Sequence, residues 1–393
     1  MVEGNGGPRF AYVAEGKLYA ATAGEPAVLV DSPFVQTLMD RVEKERSRND
    51  WKAGGMAWNL GAANRMAMPG AVAVGAARRV QYTGVTGSGG DLYYVLDTDY
   101  VGGLFHHETS TGFERRLFHR NGFRATDLAR RPSDGTLALS VRVADGTAHL
   151  ATFGANGRGV KQLTDGDAVD EAPSWAEGED RSLVFQSAGI ARNGGGARVG
   201  LSPYAVHKLD LDRNEMTILA ESDDADLLLP RAAADGTLHY VRRPYQPVGA
   251  HVSPWRLAMD FVLFPYRLLR AIGHFLNFFS LMFSRQPLIS TGGPPKDGPD
   301  ARMLMLWGRV IDANKALRAG PEGRLVPASW ELVRRSADGR ETVLAKHVLW
   351  FDRSPDGAIL YTDGSRIWHL PADGAPAREV GRGKLVERVV FAG

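Results

Sequence analysis

The chain of 393 residues contains no cysteine. That excludes disulfides, thiolate metal sites and a cysteine nucleophile, and it fits a reducing compartment. An excess of one charge is missing too: 47 Lys and Arg stand against 45 Asp and Glu, a formal charge of +2. Nothing in that balance favours nucleic acid as a partner. The first residues, Met1-Val2-Glu3-Gly4-Asn5-Gly6-Gly7-Pro8, have neither the basic nor the apolar stretch of a secretory leader, so the expected location is the cytoplasm.

Familiar catalytic motifs are also absent. No Gly-x-Ser-x-Gly elbow of a serine hydrolase occurs. Gly200-Leu201-Ser202-Pro203-Tyr204 lacks the final glycine and reads as a loop. Gly84-Val85-Thr86-Gly87-Ser88-Gly89-Gly90 lacks the lysine of a phosphate loop and reads as a connection between strands. His106-His107-Glu108 invites a metal reading. Adjacent residues of a strand point to opposite faces, however, so the two histidines cannot easily share an ion. No cofactor or metal is implied.

Turns are abundant: glycine numbers 46 and proline 21, without a collagen period. Short β-rich runs recur between Asp-Gly pairs, the pattern of an all-β repeat architecture. One unit runs from Gln162-Leu163-Thr164 through Asp170 and Pro173-Ser174-Trp175 to Leu183–Ser187. Another is Trp350-Phe351-Asp352-Arg353-Ser354-Pro355-Asp356-Gly357 with Ala358–Tyr361, followed by Arg366–Leu370. Weaker copies run from Leu128 to Leu139 and from Pro230 to Val241. Asp-Gly is read as a two-residue hairpin turn with positive φ. Each unit leaves apolar faces that only neighbouring units can cover.

Leu163-Thr164, Asp170, Pro173 and Trp175, together with the turn Ser354-Pro355-Asp356-Gly357, resemble the repeats of TolB-like, WD40-like (PD40) propellers. No single copy is complete, since Ala176-Glu177-Gly178 replaces the Ser-Pro-Asp-Gly turn. The resemblance covers about two thirds of the chain and speaks for fold more than function. It implies an all-β, six-bladed propeller; the sequence adds a helical insertion in one blade. The blades fall at 36–123, 124–166, 167–222, 223–346 and 347–384. The sixth joins both ends, with Leu385–Phe391 beside strands at 10–13, 17–21 and 27–30. In the first of these blades, strands are expected at Gly55–Trp58, Arg79–Tyr82, Leu92–Val95 and Glu114–Phe118. Propellers of the prolyl oligopeptidase type are followed by a hydrolase domain, for which this chain has no room. Lactonase-type propellers hold a divalent ion in the central channel. Asp127, Asp170, Glu171 and Asp352, near innermost strands, are the candidates for such a channel, although turn and repeat hydrogen bonds explain them as well.

Two segments fall outside this scheme. Phe34, Val35, Leu38, Met39 and Val42 share one face of an expected helix at 33–48, packed on the rim or on a partner. The second is the amphipathic stretch 255–284, within an insertion spanning 247–302 that divides the propeller into 1–246 and 303–393. On a helix, Arg256, Asp260, Arg267, Arg270 and His274 occupy an arc of about 80°. The rest is apolar and includes Trp255, Phe261, Phe264, Tyr266, Leu268, Leu269, Ile272, Phe275, Phe278, Phe279 and Met282. Pro265 kinks this helix or starts a second one at Tyr266. Charges in its first half, and two ends that return to one blade, argue for an interfacial element over a span. Fully burying one Leu or Phe gives roughly 1.5–3 kcal/mol, so so much apolar surface needs a cover. A membrane surface, a partner protein or second copy, and the propeller itself are the alternatives.

The expectation is a non-enzymatic interaction scaffold, cytoplasmic and peripherally attached to a membrane or a membrane-protein complex. Its rival is a lactonase- or hydrolase-like enzyme working in the channel. Periplasmic TolB serves envelope complexes through protein contacts. This chain is expected to depart from it in lacking a leader and TolB's N-terminal domain, so its particular partners are not carried over.

Overall fold

The computed structural model describes residues 7–38, 40, 44, 80–98, 101–196, 198–246, 303–306, 309–312 and 324–393. By internal contacts the chain divides into two units: residues 1–35, 78–247 and 302–393 form one, and 36–77 with 248–301 the other. Of the second unit, the described residues are 36–38, 40 and 44, all helical. Every strand of the described residues belongs to the first unit.

The strands pair mainly as four-stranded antiparallel meanders. In the first, the chain's two ends meet: β27 (Val386–Phe391) lies beside β1 (Arg9–Ala14), followed by β2 (Lys17–Thr22) and β3 (Val28–Leu29). This is the joining of termini expected from the sequence, with Phe10 opposite Phe391 and Tyr12 opposite Val389. The next meander is β4 (Gln81–Ser88), β5 (Asp91–Asp97), β6 (Val101–Glu108) and β7 (Phe113–Asn121). It is followed by β8 (Ala125–Arg130), β9 (Leu137–Arg142), β10 (Ala148–Phe153) and β11 (Lys161–Gln162). Then come β12 (Ala168–Trp175), β13 (Ser182–Arg192), β15 (Ala205–Asp210) and β16 (Glu215–Ala220), with β14 (Arg198–Leu201) paired to the far end of β13. A single parallel bridge, Ala148 to Val169, joins these last two meanders into one nine-stranded sheet. The remaining meanders are β17 (Ala225–Ala232), β18 (Leu238–Pro244), β21 (Glu331–Arg335) and β22 (Glu341–Lys346), and β23 (Trp350–Arg353), β24 (Ile359–Thr362), β25 (Arg366–Leu370) and β26 (Arg378–Arg382). Between β18 and β21, β19 (Met303–Leu306) and β20 (Arg309–Asp312) pair, among the described residues, only with each other. Among the described residues, the strand that follows β18 in this meander opens at Glu331.

First strands of successive meanders touch: β4 with β8, β8 with β12, β12 with β17, β17 with β23, β23 with β27, and β27 with β4. Burial is greatest in the first two strands of the meanders and falls off in the outermost. All residues of β24 and the last seven of β12 are buried, whereas β7, β16 and β22 are largely exposed. Strands covered on both faces read as continuous apolar runs, and the exposed outer ones alternate or turn polar. The core lies between sheets. Ala11, Val13 and Leu18 pack with Tyr82, Tyr94 and Phe105, and Val95, Leu104 and Phe123 pack with Leu137, Leu139 and Phe153.

Several sequence expectations need correction. The Gly84–Gly90 run is mostly strand β4, with only Gly89 and Gly90 in the turn. Its glycines allow close approach: a Cβ on Gly87 would lie 2.1 Å from the Phe391 carbonyl oxygen of β27. Gly200 and Leu201 likewise belong to a strand, β14. The β4–β7 meander includes a strand at Val101–Glu108 that the sequence reading passed over, while 55–58 lies outside the described residues. The Asp-Gly turns are not two-residue type I′ turns. In Ser354–Ala358 the Gly357 N–H donates to the Ser354 carbonyl at 2.9 Å and the Ser354 N–H to the Ala358 carbonyl at 2.9 Å. Gly357 has φ +94° and the preceding aspartate is not left-handed, as in a type I turn closed by a G1 bulge. The aspartate instead caps the turn: Oδ1 of Asp134, Asp235 and Asp338 accepts the N–H two residues on, at 2.9 to 3.1 Å. That capacity favours Asp before Gly here.

Residues 33–38, 40 and 44 are helical, in line with the start of the expected helix. Ser32 caps it, accepting the Val35 N–H at 3.3 Å, and Pro33 follows at a position where its missing N–H costs nothing. Phe34 and Val35 pack on the core, with the Phe34 ring 5.0 Å from Phe105.

Candidate functional site

The first strands share a local irregularity that positions the central polar groups. β8, β12 and β17 each carry a register shift, between Thr126 and Ala129, Glu171 and Ser174, and Leu228 and Arg231. At each shift one residue adopts left-handed backbone: Asp127 (φ 56°), Ala172 (φ 52°) and Leu229 (φ 56°). Outside glycine this conformation is uncommon and must be held by its surroundings. Side chains of the preceding meander hold two of the three freed N–H groups. Ala172 donates to Asp127 Oδ2 at 3.0 Å, and Leu229 donates to Gln186 Oε1 at 2.8 Å.

Around these bulges lie three of the four proposed channel carboxylates, each met by an arginine. Asp127 pairs with Arg388 of β27, whose guanidinium also lies 4.2 Å from the Trp350 ring centre. Glu171 accepts from Arg142 at 2.8 Å and from the Tyr204 hydroxyl at 3.1 Å. Asp352 faces Arg231 at 3.4 Å and accepts the Phe391 N–H at 3.0 Å. A fourth pair, Arg353 with Glu177, ties β23 to the turn after β12. Asp170 does not join them. As the neighbour of Glu171 on a strand it faces the other way, accepting from Ser187 Oγ at 2.6 Å within its own meander.

Burial pushes the Glu171 carboxyl above its ordinary value, against the opposing pull of Arg142, and Asp127 adds to the rise. The Tyr204 hydroxyl is likewise pushed well up by burial and by Glu171. A second buried pair, Arg243 with Asp226 at 2.7 Å, lies beside Trp330. Such pairs fix which strands meet, because a lone buried charge costs more than its neutral replacement.

His106 and His107 do take opposite faces of β6. His106 stacks on Tyr93 at 4.5 Å and bonds Asp91 at 2.9 Å, while burial lowers the His107 pKa. Among the described residues, no three His, Asp or Glu side chains converge as metal ligands. Trp255, Arg256, Phe261, Phe264, Tyr266, Arg267, Leu268, Leu269, Arg270, Ile272, Phe275, Phe278, Phe279 and Met282 lie outside the described residues. No helix of the described residues is long and apolar enough to cross a membrane. The sequence reading missed the arginine partners and Tyr204; the signal available was arginine beside Asp352 and within the terminal strand at Arg388. An open groove lies nearer the rim, lined in part by Ile218, Asp224 and Arg242. There Arg242 bridges Glu331 at 2.9 Å and Glu341 at 2.6 Å.

No protein-family model matches the chain, and no curated protein sequence matches it. Solved structures do. TolB from Acinetobacter baumannii is similar at a TM-score of 0.50 and 13% identity, over 98% of this chain and 66% of that one. The chain thus spans about two thirds of the length of that protein. The tricorn protease gives 0.47 and 12%, over 99% of this chain and 35% of its own. A chain of a nidogen/laminin complex gives 0.48 and 9%, over 98% and 99%. The fold is that of a TolB-like β-propeller.

Proposed function

We propose that the chain is a six-bladed, non-enzymatic interaction propeller whose ring is closed by β27 and β1. The observation that carries the reading is the engagement of the central carboxylates. Asp127, Glu171 and Asp352 are each already bound to an arginine and to a further N–H or O–H donor. A carboxylate tied in this way orders strands. An acid–base catalyst or metal ligand needs an unshared lone pair directed at substrate or ion. The same engagement speaks against the lactonase-like alternative.

The insertion at 247–302 attaches this disc peripherally to a membrane surface or a membrane-protein complex on the cytoplasmic side. Support comes from the amphipathic sequence 255–284, with arginines suited to phosphates and Trp255 and Tyr266 suited to a headgroup boundary. Protein partners use the loops and rim, and contact between copies through 255–284 is the competing use of the same surface. Liposome flotation of the intact chain beside a variant lacking 248–300 tests the reading. Flotation of the intact chain alone supports it. Two soluble, monomeric proteins that stay at the bottom of the gradient remove both attachment and self-association.

A further inference from the structure

We infer that the outer strand β7 forms a docking edge for an acidic, extended polypeptide segment; this rests on the reading of the chain as an interaction protein. Arg115, Arg116, Arg120 and Arg124 lie on β7 or just after it and are all exposed. None of them has an ion-pair or hydrogen-bond partner for its side chain among the described residues. The one acidic residue of β7 is already used, since Glu114 accepts from the Tyr94 hydroxyl and the Phe34 N–H. The next meander adds another cation. A Cβ on Gly157 would lie 2.3 Å from the Leu117 carbonyl oxygen, and this close approach sets the exposed, unpaired Arg158 beside the middle of β7.

Two other outer strands carry paired charges. On β22, Glu341 pairs with Arg242 and Lys346 with Glu331; on β26, Glu379 pairs with Arg382. Against an overall charge of only +2, the β7 cluster is a local surplus. Charged residues do guard sheet edges against aggregation, but the paired charges of β22 and β26 serve that end as well.

Geometry selects the partner. In register, Arg115 stands opposite His106 and Arg116 opposite Phe105, so the two guanidinium groups leave opposite faces of the strand. A planar layer of lipid headgroups meets one of these faces. An extended chain running along the edge can direct alternate carboxylates to both, each forming a charge-assisted pair with a guanidinium. Among the described residues, no strand lies on the outer side of β7, and Phe113 at its start is 56% exposed, which offers that chain an apolar contact. Single exposed ion pairs contribute little, so recognition depends on several together.

The test is fluorescence anisotropy with a labelled peptide of alternating Glu and Val, against the intact protein and the variant Arg115→Glu/Arg116→Glu/Arg120→Glu. Binding to the intact protein, weakened at least about tenfold in the variant and by added salt, is the expected result. An Arg→Gln version of the same triple, checked by circular dichroism, guards against misfolding and is expected to weaken binding as well. Equal binding by the variants, or none by the intact protein, overturns the inference. So does arginine-dependent sedimentation with phosphatidylserine vesicles, or retention of duplex DNA, that exceeds binding of the peptide. The protein lacking 248–300 is expected to bind the peptide unchanged, so loss of membrane attachment and loss of this edge are read separately.

Discussion

Two sets of ion pairs in this molecule use the same residue types under opposite conditions. Near the inner strands, the Asp127 and Arg388 side chains are 5% and 12% exposed. At the rim, those of Glu379 and Arg382 are 26% and 66% exposed. The inner pair joins residues 261 apart in sequence and also fixes the Ala172 N–H; the rim pair joins residues three apart on one strand. In low dielectric, a missing partner strands an uncompensated charge, whereas water replaces a missing partner at the surface. Charge at the centre therefore specifies which strands assemble, and charge at the rim is free for other molecules.

The largest expected effect comes from breaking the inner pair. Asp127→Ala strands Arg388 and removes the acceptor of a left-handed residue, and is expected to cost about 3–5 kcal/mol, read from urea unfolding. Replacing both members, as Asp127→Leu/Arg388→Met, is expected to recover part of the loss. A loss no larger than that of a rim variant would erase the distinction.

Acid is expected to act next. Burial, aided by Arg353 and Arg334, lowers His239 from its ordinary 6.5 to about 4. Between these values the unfolded chain binds a proton that the folded chain refuses. Stability is therefore whole above about pH 6.5 and falls as the pH drops towards 4, by up to about 3 kcal/mol from this residue. Urea midpoints across that range are expected to flatten in His239→Gln. His107, His207 and His369, also lowered first by burial, add to the same slope.

Gly87→Ala is expected to cost about 1–3 kcal/mol, because its new methyl meets the fixed Phe391 backbone. Raised hydrogen exchange in β27, with β15 and β16 unchanged, would locate the damage at the joined ends. Arg382→Ala, the smallest case, is expected to leave the unfolding midpoint where it was. A measurable drop would show that the rim pair also holds the fold.

Much of this was legible because it is local. Ser354-Pro355-Asp356-Gly357 marks a hairpin wherever it stands, and Phe10 to Val13 with Leu385–Phe391 reads as complementary end strands. The turn type was misread because the aspartate's bond to the N–H beyond the glycine leaves no trace in a two-letter pattern. The Gly84–Gly90 run was misread for a related reason: its glycines answer to the neighbouring Phe391 backbone, not to a bend of their own. The candidate carboxylates were found, but Asp170 was grouped with Glu171 although a strand sends adjacent side chains to opposite faces. Their arginines could not be assigned, since 47 basic residues offer many partners and only packing chooses among them.

By itself, then, the sequence determined the repeat, the turns, the apolar strands and the pairing of the two ends. The first three rest on backbone conformation and burial, which neighbours along the chain dictate, and the last on the cost of leaving edge strands exposed. The tertiary structure alone decided that the central carboxylates are held by arginines while the arginines on β7 have no partner among the described residues. Whether a charge finds its opposite depends on which distant strands are brought within a few ångströms, and that distance is set by how the sheets pack on one another.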